Sequence, residues 1–185
     1  YIGVDHYILG LEHIVNEHMM WSLEGFYKNY FQYPFDLNTG ASVANTGAEY
    51  SSVSGAVPVT STGKGKAYGF ELLNRMRFQT FTFIGSYTFV RSLFTDIQGD
   101  YIPSSWDSRH LITLTGTKDL KRNWSVGGKW RFVGGLPYTP YNLEVSANVQ
   151  AWNAKGGPYL DYNQLNDKRA NSFHQLDVRV DKQSF

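Results

Sequence analysis

The chain has 185 residues and a formal net charge of +1; aromatic residues make up 16% of it and charged residues only 18%. A nearly neutral chain with no basic stripe argues against a nucleic-acid partner, and the absence of cysteine from the sequence excludes disulfides and thiolate metal sites. No apolar run approaches the ~18–20 residues of a transmembrane helix. Any membrane crossing must therefore use β-strands, in which only every second residue faces lipid.

Seven runs alternate between apolar and polar residues, and each predicts a β-strand. The clearest begins at Met20, where Trp21 and Leu23 alternate with Ser22 and Glu24. In chain order the predicted strands are 7–15, 20–31, 66–78, 81–92, 109–118, 124–135 and 173–182.

Residues 5–27 also carry apolar side chains at helical spacing, so an amphipathic helix is an alternative for this segment. We favour two strands, because the residues after Met20 alternate well and because a glycine weakens a helix. Gly10 and Gly25 would each destabilise a helix there by about 1 kcal/mol.

The connections between the predicted strands alternate strictly between short and long. The short turns are 16–18, 79–80 and 119–123, and the long connections are 36–65, 96–108 and 137–172. Transmembrane barrels show this asymmetry, with short periplasmic turns and longer extracellular loops. A β-sandwich has no physical reason to sort its loops in this way, so the pattern favours a barrel wall.

The two faces of the predicted strands differ in chemistry. One face is apolar, and aromatic residues gather near its ends, as they do at a membrane interface; these are Trp21, Tyr27, Tyr30, Tyr68, Tyr87, Trp124 and Trp130. The other face carries charges too numerous to bury in a packed core: Glu24, Lys28, Glu71, Arg75, Lys129, Arg131, Asp177, Arg179 and Asp181. A wide lumen filled with water or a polar plug accommodates them. Seven strands are too few to close such a barrel.

Five segments, in order, carry a family resemblance. They are 65–73 (GKAYGFELL), 85–91 (GSYTFVR), 105–111 (SWDSRHL), 130–139 (WRFVGGLPYT) and 173–181 (FHQLDVRVD). Together they resemble the C-terminal barrel strands of TonB-dependent outer-membrane receptors, particularly those of Bacteroidetes. The fold class implied is all-β: an antiparallel transmembrane segment of about seven strands from a larger barrel of about 22 strands.

The resemblance implies active import of a nutrient across the bacterial outer membrane: a siderophore, vitamin, haem, peptide or glycan. It implies outer-membrane lipid, the parent protein's plug and remaining strands, and TonB, bound through the parent's N-terminal region, as partners. We expect residues 1–185 to be part of a single barrel domain, a fragment without plug and final strands. The alternatives are a soluble carbohydrate-binding β-sandwich and a passive porin-type barrel.

The sequence predicts no enzyme, no catalytic or metal site and no cofactor. Its five histidines are scattered, and no nucleophile elbow or phosphate-binding loop is found. Asp107 and Arg109 flank a loop-to-strand junction, and we interpret them as an ion pair that fixes the loop, with ligand contact as the alternative. Exposed aromatic residues in the long loops are candidates to stack on a ligand, although loop-to-loop packing is an equal alternative: Tyr101, Trp106, Tyr138, Tyr141, Trp152, Tyr159 and Tyr162.

Overall fold

The fold was analysed in a computed structural model, which describes residues 1–46 and 58–183. Its strands in chain order are β1 (Gly3–Asn16), β2 (Met19–Asp36), β3 (Ala41–Ser42), β4 (Val59–Phe78), β5 (Phe81–Thr95), β6 (Tyr101–Pro103), β7 (Arg109–Asp119), β8 (Trp124–Val133), β9 (Pro137–Tyr138), β10 (Lys168–Arg169) and β11 (Phe173–Lys182). The seven long strands β1, β2, β4, β5, β7, β8 and β11 form one antiparallel sheet, each paired with the next along the chain. Strands β1 and β11 are its edges.

All seven predicted strands are present in this sheet. The helical alternative for residues 5–27 is wrong, because β1 and β2 form a hairpin in which Leu11 lies opposite Leu23. Several strands extend further than the alternation predicts, and β2 and β4 do so most. β2 continues to Asp36 and β4 begins at Val59, so part of the predicted connection 36–65 is strand.

The short turns lie where the sequence predicts them, and we call that edge of the sheet the turn end and the opposite edge the loop end. The described parts of the long connections hold three short α-helices, α1 (Val43–Thr46), α2 (Leu143–Ser146) and α3 (Val149–Lys155), and a 3-10 helix, Tyr162–Gln164. Among the described residues, no helix has the length and apolarity needed to cross a membrane. The middle of the first long connection, 47–57, lies outside the described residues.

The register confirms that the sheet has one apolar and one charged face. Cross-strand partners share a face, and an unbroken row of them is apolar from β1 to β8: Leu11, Leu23, Leu72, Tyr87, Ile112 and Phe132. All nine predicted inward charges lie on the opposite face; Glu24, for example, pairs with Glu71, and Lys129 with Asp177. The apolar face is the one suited to lipid, and we call it the outer face.

Three of the aromatic residues predicted for the ends of the outer face were placed wrongly. Tyr87 and Trp130 lie on that face but near its middle, where Trp130 pairs with Leu114 and Leu114 with Gly85. Tyr30 lies opposite Gly65 on the charged face, and its ring packs 5.4 Å from that of Phe94. Strand alternation explains this, since Tyr30 follows outward-facing Tyr27 at an odd sequence offset, i+3. Tyr33 joins the same inner cluster, 4.6 Å from Phe94, after Gln32 takes a left-handed φ of 54°.

A small core lies at the loop end of the sheet, beyond the wall itself. β3 pairs with the end of β2, and Ala41 also bridges to Asp96 at the end of β5, so the outer ends of these strands curl together. The curl buries Phe35, Ala41, Ala44 and Phe94. Burial raises the pKa of the Tyr33 phenol, and the neighbouring Tyr30 adds to this shift.

Candidate functional site at the loop end

The height of the apolar face places the loop end at a membrane boundary. Phe81 follows a short turn, and Arg91 lies ten residues later on the same face of β5, opposite Tyr68. At about 3.3 Å per residue, and with a strand tilt of about 40°, these residues lie about 25 Å apart along the membrane normal, which is the height of an outer-membrane apolar band. The connections beyond Arg91 therefore project past the lipid.

A buried carboxylate organises the start of these connections. The Asp107 side chain has no exposed surface. Its Oδ1 accepts hydrogen bonds from Arg91 Nε at 3.0 Å and from the Ser92 backbone N–H at 2.8 Å. Its Oδ2 accepts a short hydrogen bond from Arg169 Nη2 and lies 3.8 Å from Arg109 Nε. One carboxylate thus ties the end of β5 to β10.

Arg169 extends this connection to the end of β8. Its Nη1 donates to the Asp107 carbonyl at 2.6 Å and to the Gly135 carbonyl at 2.8 Å. The backbone is tightly packed here, since a side chain on Gly135 would run into the Ala170 carbonyl. The charge contacts therefore fasten the third long connection to the second, and the close backbone contact joins the two ends of the third connection.

The predicted ion pair between Asp107 and Arg109 is present, but it is the weakest of the three that Asp107 makes. Its 3.8 Å distance is too long for a hydrogen bond. The stronger partners, Arg91 and Arg169, were not predicted. Arg91 could have been identified from the sequence, because its charge interrupts the otherwise apolar residues that face outward on β5. No sequence feature identified Arg169 as a partner, because it lies 62 residues from Asp107.

Asn166 forms a second polar junction between the connections. Its Nδ2 donates to the Asn45 carbonyl at 2.7 Å and to the Pro103 carbonyl at 2.8 Å, and its backbone N–H donates to Thr139 Oγ1 at 3.2 Å. Ser105 Oγ also donates to the Asn45 carbonyl, at 3.0 Å. One buried amide thus joins all three long connections.

We expect the substitution Asn166→Asp to loosen this junction. It replaces an amide that donates to two buried carbonyl oxygens with a carboxylate that repels them, at a cost of about 2–3 kcal/mol. Faster amide hydrogen exchange in residues 101–108 and 163–167 would show the loosening. Asn163→Asp, an exposed change three residues away, should leave exchange unaltered; equal effects of the two variants would contradict the role assigned to Asn166.

The predicted ligand-binding aromatic residues do not meet at one site. Tyr138 and Tyr141 line one cavity of about 250 Å³. Tyr162 lines a separate cleft of about 630 Å³ beside Asp96 and Asp167, and Tyr101 lines a third of about 440 Å³. The described residues hold no group of three His, Asp or Glu side chains placed to bind a metal ion.

The remaining predicted aromatic residues are either packed against neighbouring groups or partly exposed. Tyr159 donates from its hydroxyl to the Ala151 carbonyl at 3.1 Å and lies under Lys155 Nζ, so it holds α3 in place. Trp152, on α3, and Trp106 are 45% and 60% exposed. Tyr101 also supports Lys66, whose Nζ lies 4.1 Å from the ring centroid.

The comparison with protein families accounts for this architecture. Residues 4–185 match the family model described as TonB dependent receptor-like, beta-barrel. The chain belongs to the TonB-dependent receptor family. This confirms the family resemblance, whereas its Bacteroidetes type stays a prediction. Comparison with curated protein sequences gives no significant match.

Solved structures of such receptors share the fold. The ferripyoverdine receptor of the outer membrane of Pseudomonas aeruginosa, bound to ferripyoverdine, matches with a TM-score of 0.61 and 16% identity over 97% of this chain and 21% of that one. A complex of FpvAI with pyocin S2 gives 0.63 and 15% identity over 97% and 20%. The P. aeruginosa receptor FpvA with heterologous pyoverdines gives 0.61 and 15% over 96% and 21%. The chain thus spans about a fifth of these receptors.

Family and fold together fix the setting of this receptor barrel. It belongs to the bacterial outer membrane. In transmembrane barrels the apolar face meets lipid, short turns face the periplasm and long loops face outward, and the faces and ends of this sheet are named accordingly. The seven long strands of the described residues form a single sheet, so a two-sheet sandwich does not describe them.

Proposed function

We propose that this TonB-dependent receptor imports a nutrient across the outer membrane, and that residues 1–185 supply barrel wall and extracellular loops. The observation that carries the proposal is the family match over residues 4–185. Because the chain spans about a fifth of the solved receptors, transport is a property proposed for the whole protein. We propose that residues 1–185 belong to one barrel domain, completed by further strands and a plug.

The charged inner face supports a plugged lumen. Opposite charges face each other there, as Lys129 and Asp177 do, but Glu24 and Glu71 are like charges in register. Such a surface needs water or a polar partner to be stable. A plug within the barrel provides that partner, and we propose that TonB acts through the parent protein's N-terminal region to move it.

The ligand class is proposed from the same family: a siderophore, vitamin, haem, peptide or glycan. Ferric siderophores are the first probes to test, because two of the similar structures hold pyoverdines. We propose Tyr101, Trp106, Tyr138, Tyr141, Trp152, Tyr159 and Tyr162 as candidates for ligand contact. Tyr138 and Tyr141 line a common cavity, which supports them as a pair.

Uptake by the full-length receptor tests the proposal. Cells that express it are expected to accumulate one of a panel of labelled probes, namely ferric siderophores, cobalamin, haem and oligosaccharides. The accumulation should be lost when the receptor gene is deleted and when TonB is absent. Uptake that persists without TonB would indicate a passive porin, and uptake of no probe would contradict the proposal.

A further inference from the structure

The ion pairs at Asp107 leave an excess of positive charge at the extracellular rim. Arg91, Arg109 and Arg169 all lie within 4.0 Å of this carboxylate, at 3.0 Å and 3.8 Å for the first two and closer for the third. Within the described residues, Asp107 is the one acid in ion-pair range of these arginines. Three guanidinium groups and one carboxylate carry a net charge of about +2, since arginine stays protonated in proteins.

Arg109 is the member of the cluster with unused binding capacity. Its Nε is buried and has no hydrogen-bond partner among the described residues. Its side chain as a whole is nevertheless 43% exposed. Its φ of 65° is left-handed, a conformation that costs energy in a residue with a side chain and that is concentrated at functional sites.

The cluster lies at the loop end, where Arg91 marks the outer face of the barrel and Arg109 lies opposite Val90 in a row of the inner face. Arg91 lies in the outer row with Tyr68, and the next outer pair toward the membrane centre is Phe70 and Phe89. Since Arg91 lies about 25 Å from the turn end, it is at the level of the outer headgroups, where phosphate groups are available both from lipids and from solution.

We propose that Arg91, Arg109 and Arg169 form a binding site for a phosphate group, with Asp107 holding the three guanidiniums in place. The planar fork of a guanidinium matches the oxygens of phosphate, and bidentate pairs of this kind are strong. The phosphate belongs either to a lipid headgroup or to a soluble molecule. This site is separate from the proposed transport function and does not depend on the identity of the imported nutrient.

The variant Arg109→Gln tests the site. Arg109 makes no hydrogen bond to Asp107, so its loss leaves the Arg91 and Arg169 contacts in place. Arg122→Gln is the matched control, because Arg122 is also an arginine with a left-handed φ, 62°, but lies in a periplasmic turn. Equal thermal unfolding of both variants and the wild type in phosphate-free buffer shows that all three are folded.

Binding is measured on the full-length receptor with two probes. One is inorganic phosphate added to receptor in neutral detergent, and the other is phosphatidic acid in nanodiscs of phosphatidylcholine. The wild type and Arg122→Gln should bind at least one probe, and Arg109→Gln should bind it about tenfold or more weakly. Binding of phosphatidic acid alone assigns the site to lipid, and binding of inorganic phosphate assigns it to soluble ligands. No binding by the wild type, or equal binding by Arg109→Gln, overturns the proposal.

Discussion

Replacing Asp107 by alanine in the full-length receptor is expected to release the second and third extracellular loops from the barrel rim. The substitution removes the carboxylate that three arginines share, two of which, Arg91 and Arg169, are largely buried with 24% of their side chains exposed. Removing one partner of a buried ion pair leaves uncompensated charge and typically costs about 3–5 kcal/mol. The barrel wall, held by strand pairing, should stay folded.

Hydrogen exchange measured by mass spectrometry shows whether the release is local. Peptides that cover residues 96–108 and 163–172 should exchange much faster in Asp107→Ala, while those in β7 and β8 should not. Asp167→Asn is the control, because Asp167 pairs with Lys168 at 3.5 Å on the surface, with both side chains more than half exposed. Such pairs contribute at most about 1 kcal/mol. Protected loops in Asp107→Ala would mean that the cluster does not hold them.

An arginine at Leu114 is expected to destabilise the barrel by about 2–4 kcal/mol, the cost of a cation near the middle of the lipid-facing band. Leu114 lies on the outer face, between Gly85 and Trp130 in the register. Its neighbour Thr115 points the opposite way and lies beside Lys129. Thr115→Arg adds the same side chain to the same strand but places it in the polar lumen, where it can be hydrated.

Reversible folding of the full-length receptor into phospholipid vesicles, followed across a urea titration, compares the two variants. Leu114→Arg should lower the free energy of unfolding strongly, and Thr115→Arg by less than about 1 kcal/mol. If Thr115→Arg lowered the free energy of unfolding more than Leu114→Arg, the lipid-facing and lumen-facing sides of the sheet would have been assigned the wrong way round.

The transmembrane part of the fold was predictable because lipid imposes a strict rule on it. Each strand must alternate while it crosses the apolar band, and Leu114 and Thr115 show the alternation plainly. Beyond the apolar band, lipid no longer imposes this alternation on the strands. The part of β4 around Gly63 and Gly65 shows no alternation of apolar residues, because Tyr33 and Phe94 on the neighbouring strands pack against these glycines. The sequence between 59 and 65 therefore resembled a loop.

The candidate sites were less predictable than the wall, since they depend on contacts between distant segments. Asp107 was singled out, but its strongest partner lies 62 residues away. Asn166 and Asn45 are 121 residues apart and sit in polar stretches with no periodicity. Of the partners of these residues, Arg91 alone could be identified from the sequence, because it is a charged residue in an otherwise apolar row.

The direction of the two edge strands limits how the sheet can be completed. β1 and β11 both run from the extracellular loops toward the periplasmic turns, because seven antiparallel strands begin and end in the same direction. Joining β1 to β11 would create a parallel pair, and so would setting two copies side by side in one membrane orientation. Any strands that close this barrel with antiparallel pairing are therefore odd in number.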